Sequence, residues 1–242
     1  MPCLSGRPRA GYAPGVTATQ PAGSPEARAA LRAGAAPGYR WGRHVALVAG
    51  FTAGGVWLAS ARLDGFGPGD GLVLGAMLIA INLGEYAAHR WQLHVRRFPR
   101  ALYHRHVVEH HRFFAAAAMA VDAADDVRWV LFPPWALPLL VASILPFFLL
   151  LRLTAPAELG WLLLLAVIGY YGVYEVLHTL AHLPASHALA GLRPVRALTR
   201  HHRIHHDPAL MRRWNFNFAL PLGDWLCGTV HRARHDTDDP AR

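Results

Sequence analysis

Four clusters of histidine lie at the ends of long apolar runs, and few architectures can satisfy both features at once. The clusters are His89 with His94, then His106 with His110 and His111, then His178 with His182, and finally His202 with His205 and His206. Imidazoles spaced this closely fall on one helical face or at one helix end, where they can share a cation. Two of these apolar runs are short for a bilayer span, which needs roughly 20 residues, though range and tilt allow somewhat fewer. The chain reads as a membrane-bound, histidine-rich metal site.

Composition agrees. Hydrophobic residues make up 53% of the 242 and charged residues only 16%, and the mean hydropathy is +0.20, which points to a membrane rather than water as the solvent. The net charge of +9 comes from arginine, since the chain has no lysine. Nucleic-acid binding does not follow, because the arginines flank apolar runs and no nucleic-acid motif accompanies them. Cys3 and Cys227 form no C-x-x-C pair, so neither a disulfide framework nor a thiolate zinc site is expected. Residues 1–38 are rich in Pro, Gly, Ala and Arg and lack the compact apolar segment of a secretory signal. They are expected to be a disordered cytoplasmic tail, followed by one membrane domain over 39–235 and a second disordered tail over 236–242.

The apolar runs cover Val45 to about Ala61, Leu72 to Gly84 and onward through Glu85 to His89, Trp129 to Leu151, and Leu159 to Tyr174. The third contains Pro133, Pro134, Pro138 and Pro146, so a kinked or re-entrant hairpin is as good a reading as a straight span. Six arginines precede the first run, seven lie between His89 and Arg128, and nine follow Leu192, while the intervening connections hold only Arg62 and Arg152. Positive charge marks cytoplasmic loops. The expected fold is therefore all-α: an integral membrane bundle of about four spans, with a cytoplasmic helical cap carrying the metal site and with both termini cytoplasmic.

Within the clusters, His178 and His182 are four apart at the end of a helix, and His202, His205 and His206 converge on one face. His111 lies about 100° off the stripe set by His106 and His110, and His89 and His94 are separated by about 140° on a regular helix. One of the latter pair belongs beyond a helix end or at a bulge. Ten imidazoles exceed the needs of one mononuclear site, so two metals are expected. A ferritin-like di-iron bundle needs two E-x-x-H motifs, and only Glu175 with His178 fits. A bis-histidine haem leaves most of the histidines unexplained. Glu85, Glu109, Glu175 and Asp207 are candidates to accept the far N–H of a ligating ring, with an ordinary solvated charge an equal reading for Glu109 and Asp207.

With HRWQLH from His89, HVVEHH from His106, YEVLHTLAH from Tyr174, HHRIHH from His201 and NFNFALPLGDWLCGT from Asn215, the chain resembles the fatty acid hydroxylase and sterol desaturase superfamily of membrane di-iron oxygenases. The likeness runs from about Leu83 to His231. The second cluster departs from it, being H-x-x-x-H-H where many members have H-x-x-H-H, which leaves His104 as an alternative to His106. The resemblance implies two iron ions, with zinc able to replace them in purified protein, and the ten clustered histidines as ligands. It also implies dioxygen as oxidant, a lipid or isoprenoid substrate, and a separate electron donor of ferredoxin or cytochrome type, since no H-P-G-G haem motif is present. The expected activity is hydroxylation or desaturation of a fatty-acyl or sterol-type lipid. A carotenoid hydroxylase and a non-redox zinc-binding membrane protein are the alternatives. Trp91, Trp214, Phe216 and Phe218 are candidates for the walls of a substrate groove.

Overall fold

The computed structural model describes residues 20–231, which are helical with no strand beyond one bridge between Ala115 and Ala118. The helices that organise it are α1 (Pro25–Ala33), α2 (Trp41–Ser60), α3 (Pro68–Ala87), α4 (Ala136–Thr154), α5 (Glu158–Ala181), α6 (Arg193–His205) and α7 (Leu222–Cys227). Two π-helices, Ala88–Leu93 directly after α3 and His104–His110, carry the first two histidine clusters.

Helices α2 to α5 run up and down, with α5 in the middle. Ile168 and Tyr171 of α5 pack with Val48 of α2 and Leu137 of α4. Glycine allows α2 to approach closely, since a Cβ at Gly172 would stand 2.5 Å from Thr52 Cγ2 and one at Gly55 2.6 Å from Ile168 Cδ1. At the far end Arg62 and Arg152 both lie over the Trp161 ring, so the α2–α3 and α4–α5 connections share one side. All the clustered histidines are at the opposite side.

Three helical segments are long and apolar enough to cross a membrane by length and composition: Pro68–Leu93, Ala136–Thr154 and Glu158–Ala181. The outer face of α4 leaves Phe147, Leu150 and Leu153 exposed, as a lipid-facing surface would. Helix α2 has similar length, but its apolar stretch begins only after Arg43 and His44, and it is not among the three.

One open reading is settled and one expectation is corrected. Of the two readings left open for the proline-rich third run, the straight one holds from Ala136 onward, where the chain is one continuous helix and not a re-entrant hairpin, while residues 129–135 form the end of a short helix and a turn. Pro133 and Pro134 precede the long helix and Pro138 sits in its first turn, where no intrahelical N–H is needed, so only Pro146 interrupts the ladder. The supposed tail over 1–38 contains α1. Ser24 caps that helix by accepting the Ala27 N–H at 3.2 Å, and Pro25 and Glu26 suit its first turn. Leu31 then packs with Phe113, Phe114, Trp129 and Val130. Residues 1–19 and 232–242, with the expected tail at 236–242, lie outside the described residues.

Candidate metal centre

Nine buried histidines form two groups in which one ring nitrogen from each residue lies within 4.8 Å of all the others. The first group is His89, His94, His106, His111 and His205; the second is His110, His182, His202 and His206. Each group draws on several sequence clusters, and two clusters are split between the groups.

The π-helices explain the splitting. In a π-helix the N–H of residue i+5 bonds the carbonyl of residue i, so side chains five apart stack on one face. The His94 N–H reaches the His89 carbonyl at 3.2 Å, and the His111 N–H reaches that of His106. Both pairs thereby join the first group, while His110 turns away to the second. In α6 the ordinary four-residue spacing aligns His202 with His206 and leaves His205 on the flank that faces the first group. His106 is thus inside a group, whereas His104 is partly exposed and pairs with Glu109 at 3.2 Å.

Ring orientation tests whether a cation fits. A carbonyl can only accept, so a ring nitrogen beside one must carry the proton. His110 donates from Nδ1 to the Trp129 carbonyl at 2.7 Å and His206 to that of Phe114 at 2.9 Å, yet their Nε2 atoms stand 3.0 Å apart. In neutral rings both Nε2 atoms then present lone pairs, and no hydrogen can lie between them. The same tautomer is set at His182 by Met119 O (2.6 Å), at His205 by Trp214 O (3.1 Å) and at His89 by Phe216 O. In the first group Nε2 of His106 lies 2.8 Å from that of His89, 3.1 Å from that of His94 and 3.0 Å from that of His111. Two nitrogens each about 2.1 Å from one ion and at right angles are about 3.0 Å apart. The donor sets therefore fit metal ions, and the all-nitrogen chemistry suits iron, zinc, copper or nickel.

His178 lies beside the second group without joining it. Its ring centroid is 4.7 Å from that of His110 and 5.0 Å from those of His182 and His202, and neither of its nitrogens meets a hydrogen-bond partner among the described residues.

The acidic residues act one layer further out than the sequence suggested. Glu85 receives the Phe218 N–H and the Tyr170 hydroxyl, and Glu175 receives the Phe132 N–H at 3.1 Å. Each fixes a chain segment whose carbonyl, at Phe216 or Trp129, supports a ring. Asp207 accepts the Ala209 N–H in a turn, and Glu109 pairs with Arg105 and His104. Sequence reasoning missed Asp224, which is fully buried and receives the Phe216 N–H at 3.0 Å and the Asn217 N–H at 2.7 Å. It thereby shapes the loop that presents the Trp214 and Phe216 carbonyls. Of the aromatic residues, Phe216 and Phe218 pack on the imidazoles, with Phe218 4.6 Å from His202. Trp91 is exposed and Trp214 meets His231 edge to face.

Burial favours the neutral rings. It holds His182 at about 4, and burial with neighbouring imidazoles holds His106, His110, His111, His202 and His205 well below the usual histidine range. An unfolded chain takes up these protons from about pH 6.5 downward. The stabilisation is therefore complete above that value and is lost as the pH falls toward about 4. Metal-depleted protein in detergent should unfold at progressively lower temperature between pH 7 and pH 4. A flat profile would show that these rings do not need to stay neutral.

The fold and donor sets define a helical protein with three membrane-length helices and two buried histidine sites at one end. The chain belongs to the fatty acid hydroxylase family, whose model matches residues 74–229, more than half of its length. No curated protein and no solved structure matches it.

Proposed function

We propose that this chain is an integral membrane oxygenase that holds two iron ions and hydroxylates or desaturates a lipid, most simply a fatty-acyl or sterol-type substrate. The observation that carries this reading is the pair of buried all-histidine donor sets, with inward lone pairs, at one end of a membrane-length bundle. The five histidines of the first group would hold one ion. The four of the second group would hold the other, with His178 as a further ligand, since its buried ring stands against three of that group's members. When bound, the iron ions supply dioxygen activation and the removal of hydrogen from an unactivated C–H bond.

The protein's own part is positioning. Backbone carbonyls of Phe114, Met119, Trp129, Trp214 and Phe216 hold five rings in the ligating tautomer, which a mobile side-chain acceptor would do less rigidly. Phe216 and Phe218 exclude water beside the rings. Hydroxylation consumes dioxygen, two electrons and two protons per oxygen atom inserted and releases water, so a separate ferredoxin or cytochrome-type donor is required. Zinc could not serve this function, having no redox chemistry.

The test expresses the chain with a compatible reductant under labelled oxygen gas and compares lipid and carotenoid extracts with those of a His205→Ala strain by mass spectrometry. A hydroxylated product should carry the label, and a desaturated one should lose two hydrogens without gaining it. Identical extracts, despite verified iron loading and a working donor, would favour the zinc-binding alternative.

For topology we propose four spans, with α2 as the fourth, and a cytoplasmic metal end with both termini on that side. The glycine contacts of α2 on α5 and the concentration of arginine at the histidine end support this. Reporter fusions after His111 and at the carboxyl terminus should both give a cytoplasmic signal. A periplasmic signal from either would refute the arrangement.

A further inference from the structure

A cleft of about 730 Å³ opens at the histidine end of the bundle, on the side of the second π-helix away from the metal centre. Its walls come from the segment before α2, the start of α2, the partly exposed face of the π-helix and the Pro133–Trp135 turn that leads into α4. Four arginines line it, Arg40, Arg43, Arg105 and Arg128, against a single carboxylate, Glu109. Glu109 is already engaged by Arg105 and His104. Arg128 touches only rings, with its guanidinium 4.5 Å above Tyr39 and 5.3 Å from Trp129. Arg40 and Arg43 have no ion pair or side-chain hydrogen bond among the described residues. The next acidic group, Asp125, accepts the Trp41 N–H at 3.4 Å. Three guanidinium groups therefore line the cleft without an ion-pair partner among the described residues, with Asp125 at its edge.

Two further features select the kind of anion. Helix α2 begins here with no cap from the Arg40 side chain, and while Asp125 takes the Trp41 N–H, those of Gly42 and Arg43 have no partner among the described residues. A Cβ at Gly38 or Gly42 would meet nothing within 4 Å, which leaves the backbone open to close approach. Guanidinium groups and helix N-terminal amides together match a phosphate ester, with its several acceptor oxygens and its charge. The mouth is also amphipathic. Trp41 and Trp135 are both about half exposed, and from them Val45 of α2 and Leu139 of α4 continue outward as exposed apolar surface. Paired tryptophans at the end of apolar helices mark the membrane interface.

We propose that this cleft binds the phosphate headgroup of an anionic membrane lipid, with its acyl chains laid along the outer surface between α2 and α4. The site is separate from the metal centre. Its lining includes none of the histidines of the two donor groups, and Arg128 and Pro133, which do line it, flank the segment that supports His110 through the Trp129 carbonyl. A bound headgroup thus sits beside that support and not on the donor sets. The proposal does not depend on the oxygenase reading, since nothing in it involves the metal ions.

The test uses the full chain in vesicles of phosphatidylcholine containing a small fraction of brominated phosphatidylglycerol, or of brominated phosphatidylcholine as reference, and reads quenching of tryptophan fluorescence. Brominated phosphatidylglycerol should quench at a lower lipid fraction by about tenfold, taking about 1 kcal/mol per arginine near the surface and allowing for partial loss to salt. The triple variant Arg40→Gln, Arg43→Gln, Arg128→Gln should lose that preference. An equal charge change on exposed α6, Arg193→Gln, Arg196→Gln, Arg200→Gln, should keep it. Because the first triple variant touches a packed region, the exposed single variant Arg43→Glu is measured alongside it and should also reduce the preference. Inorganic phosphate in the millimolar range should not displace the lipid, since it lacks the apolar part. Equal quenching by the two brominated lipids, or equal loss in the α6 control, would overturn the proposal. Displacement by inorganic phosphate at matched occupancy would reassign the cleft to a soluble phosphate.

Discussion

Replacing His205 with alanine should abolish activity, by at least about a thousandfold, while the protein still inserts in the membrane and keeps one of the two metals proposed for it. His205 is fully buried, its Nδ1 is fixed by the Trp214 carbonyl, and its Nε2 lies 3.0 Å from that of His94 in the first group. Alanine removes a donor that no neighbour can replace. The second group contains no atom of His205 and should hold its ion. His182→Ala is the mirror case, sparing the first group and emptying the second. Alanine at His187, which lies on the exposed turn before α6, should change neither metal content nor activity. Full activity in either buried variant would remove that residue from the ligand set.

The second large effect lies far from the clusters in sequence. Arg28 of α1 is only 5% exposed, and its guanidinium donates to the Phe113 carbonyl at 3.0 Å, to the Ala120 carbonyl at 3.0 Å, to the Ala118 carbonyl, and to Asp122 at 2.8 Å. The segment it ties down is the one that supports the second metal group. Phe114 O receives His206, Met119 O receives His182, and the backbone of Ala116 and Val121 bonds back to His206 and His182. Arg28→Ala would strand the buried Phe113 carbonyl, at about 1–3 kcal/mol, and would release the part-buried carbonyls of Ala118 and Ala120. The variant should lose the second metal preferentially, with activity falling by about a hundredfold or more. Arg28→Lys should recover only part of the loss, because an ammonium cannot span four acceptors arranged for a planar fork. Metal content and turnover equal to those of the unmodified protein would show that α1 does not brace the site.

Sequence pattern carried the outline of this molecule further than its details. Apolar runs that end in histidine were enough to place the clusters at one end of a helical bundle, because burial and membrane length leave few alternatives. How the histidines divide was not legible. His89 with His94, and His106 with His111, are out of phase on a regular helix, and only π-turns bring them into line. Nothing in side-chain identity announces a π-turn before its tertiary contacts form. The supports of the rings were hidden for a different reason, since the acceptors are backbone carbonyls that every residue possesses. Glu85 and Glu175 attracted attention as carboxylates near histidines, yet they bond the backbone of Phe218 and Phe132. Helix α1 has a capping pattern in Ser24, Pro25 and Glu26, which the composition of residues 1–38 obscures. The four prolines around α4 left a hairpin and a straight span equally open. A proline count weighs each equally, whereas only the one at 146 sits where a helical N–H is missed.

The central claim is that the clustered histidines hold two metal ions in two distinct sites. Metal analysis of protein purified after iron-replete expression, normalised to chain concentration by quantitative amino-acid analysis, tests it most directly. The structure predicts about two equivalents of metal per chain for the native protein and about one for each of the His205→Ala and His182→Ala variants. One equivalent or none in the native protein would contradict the account.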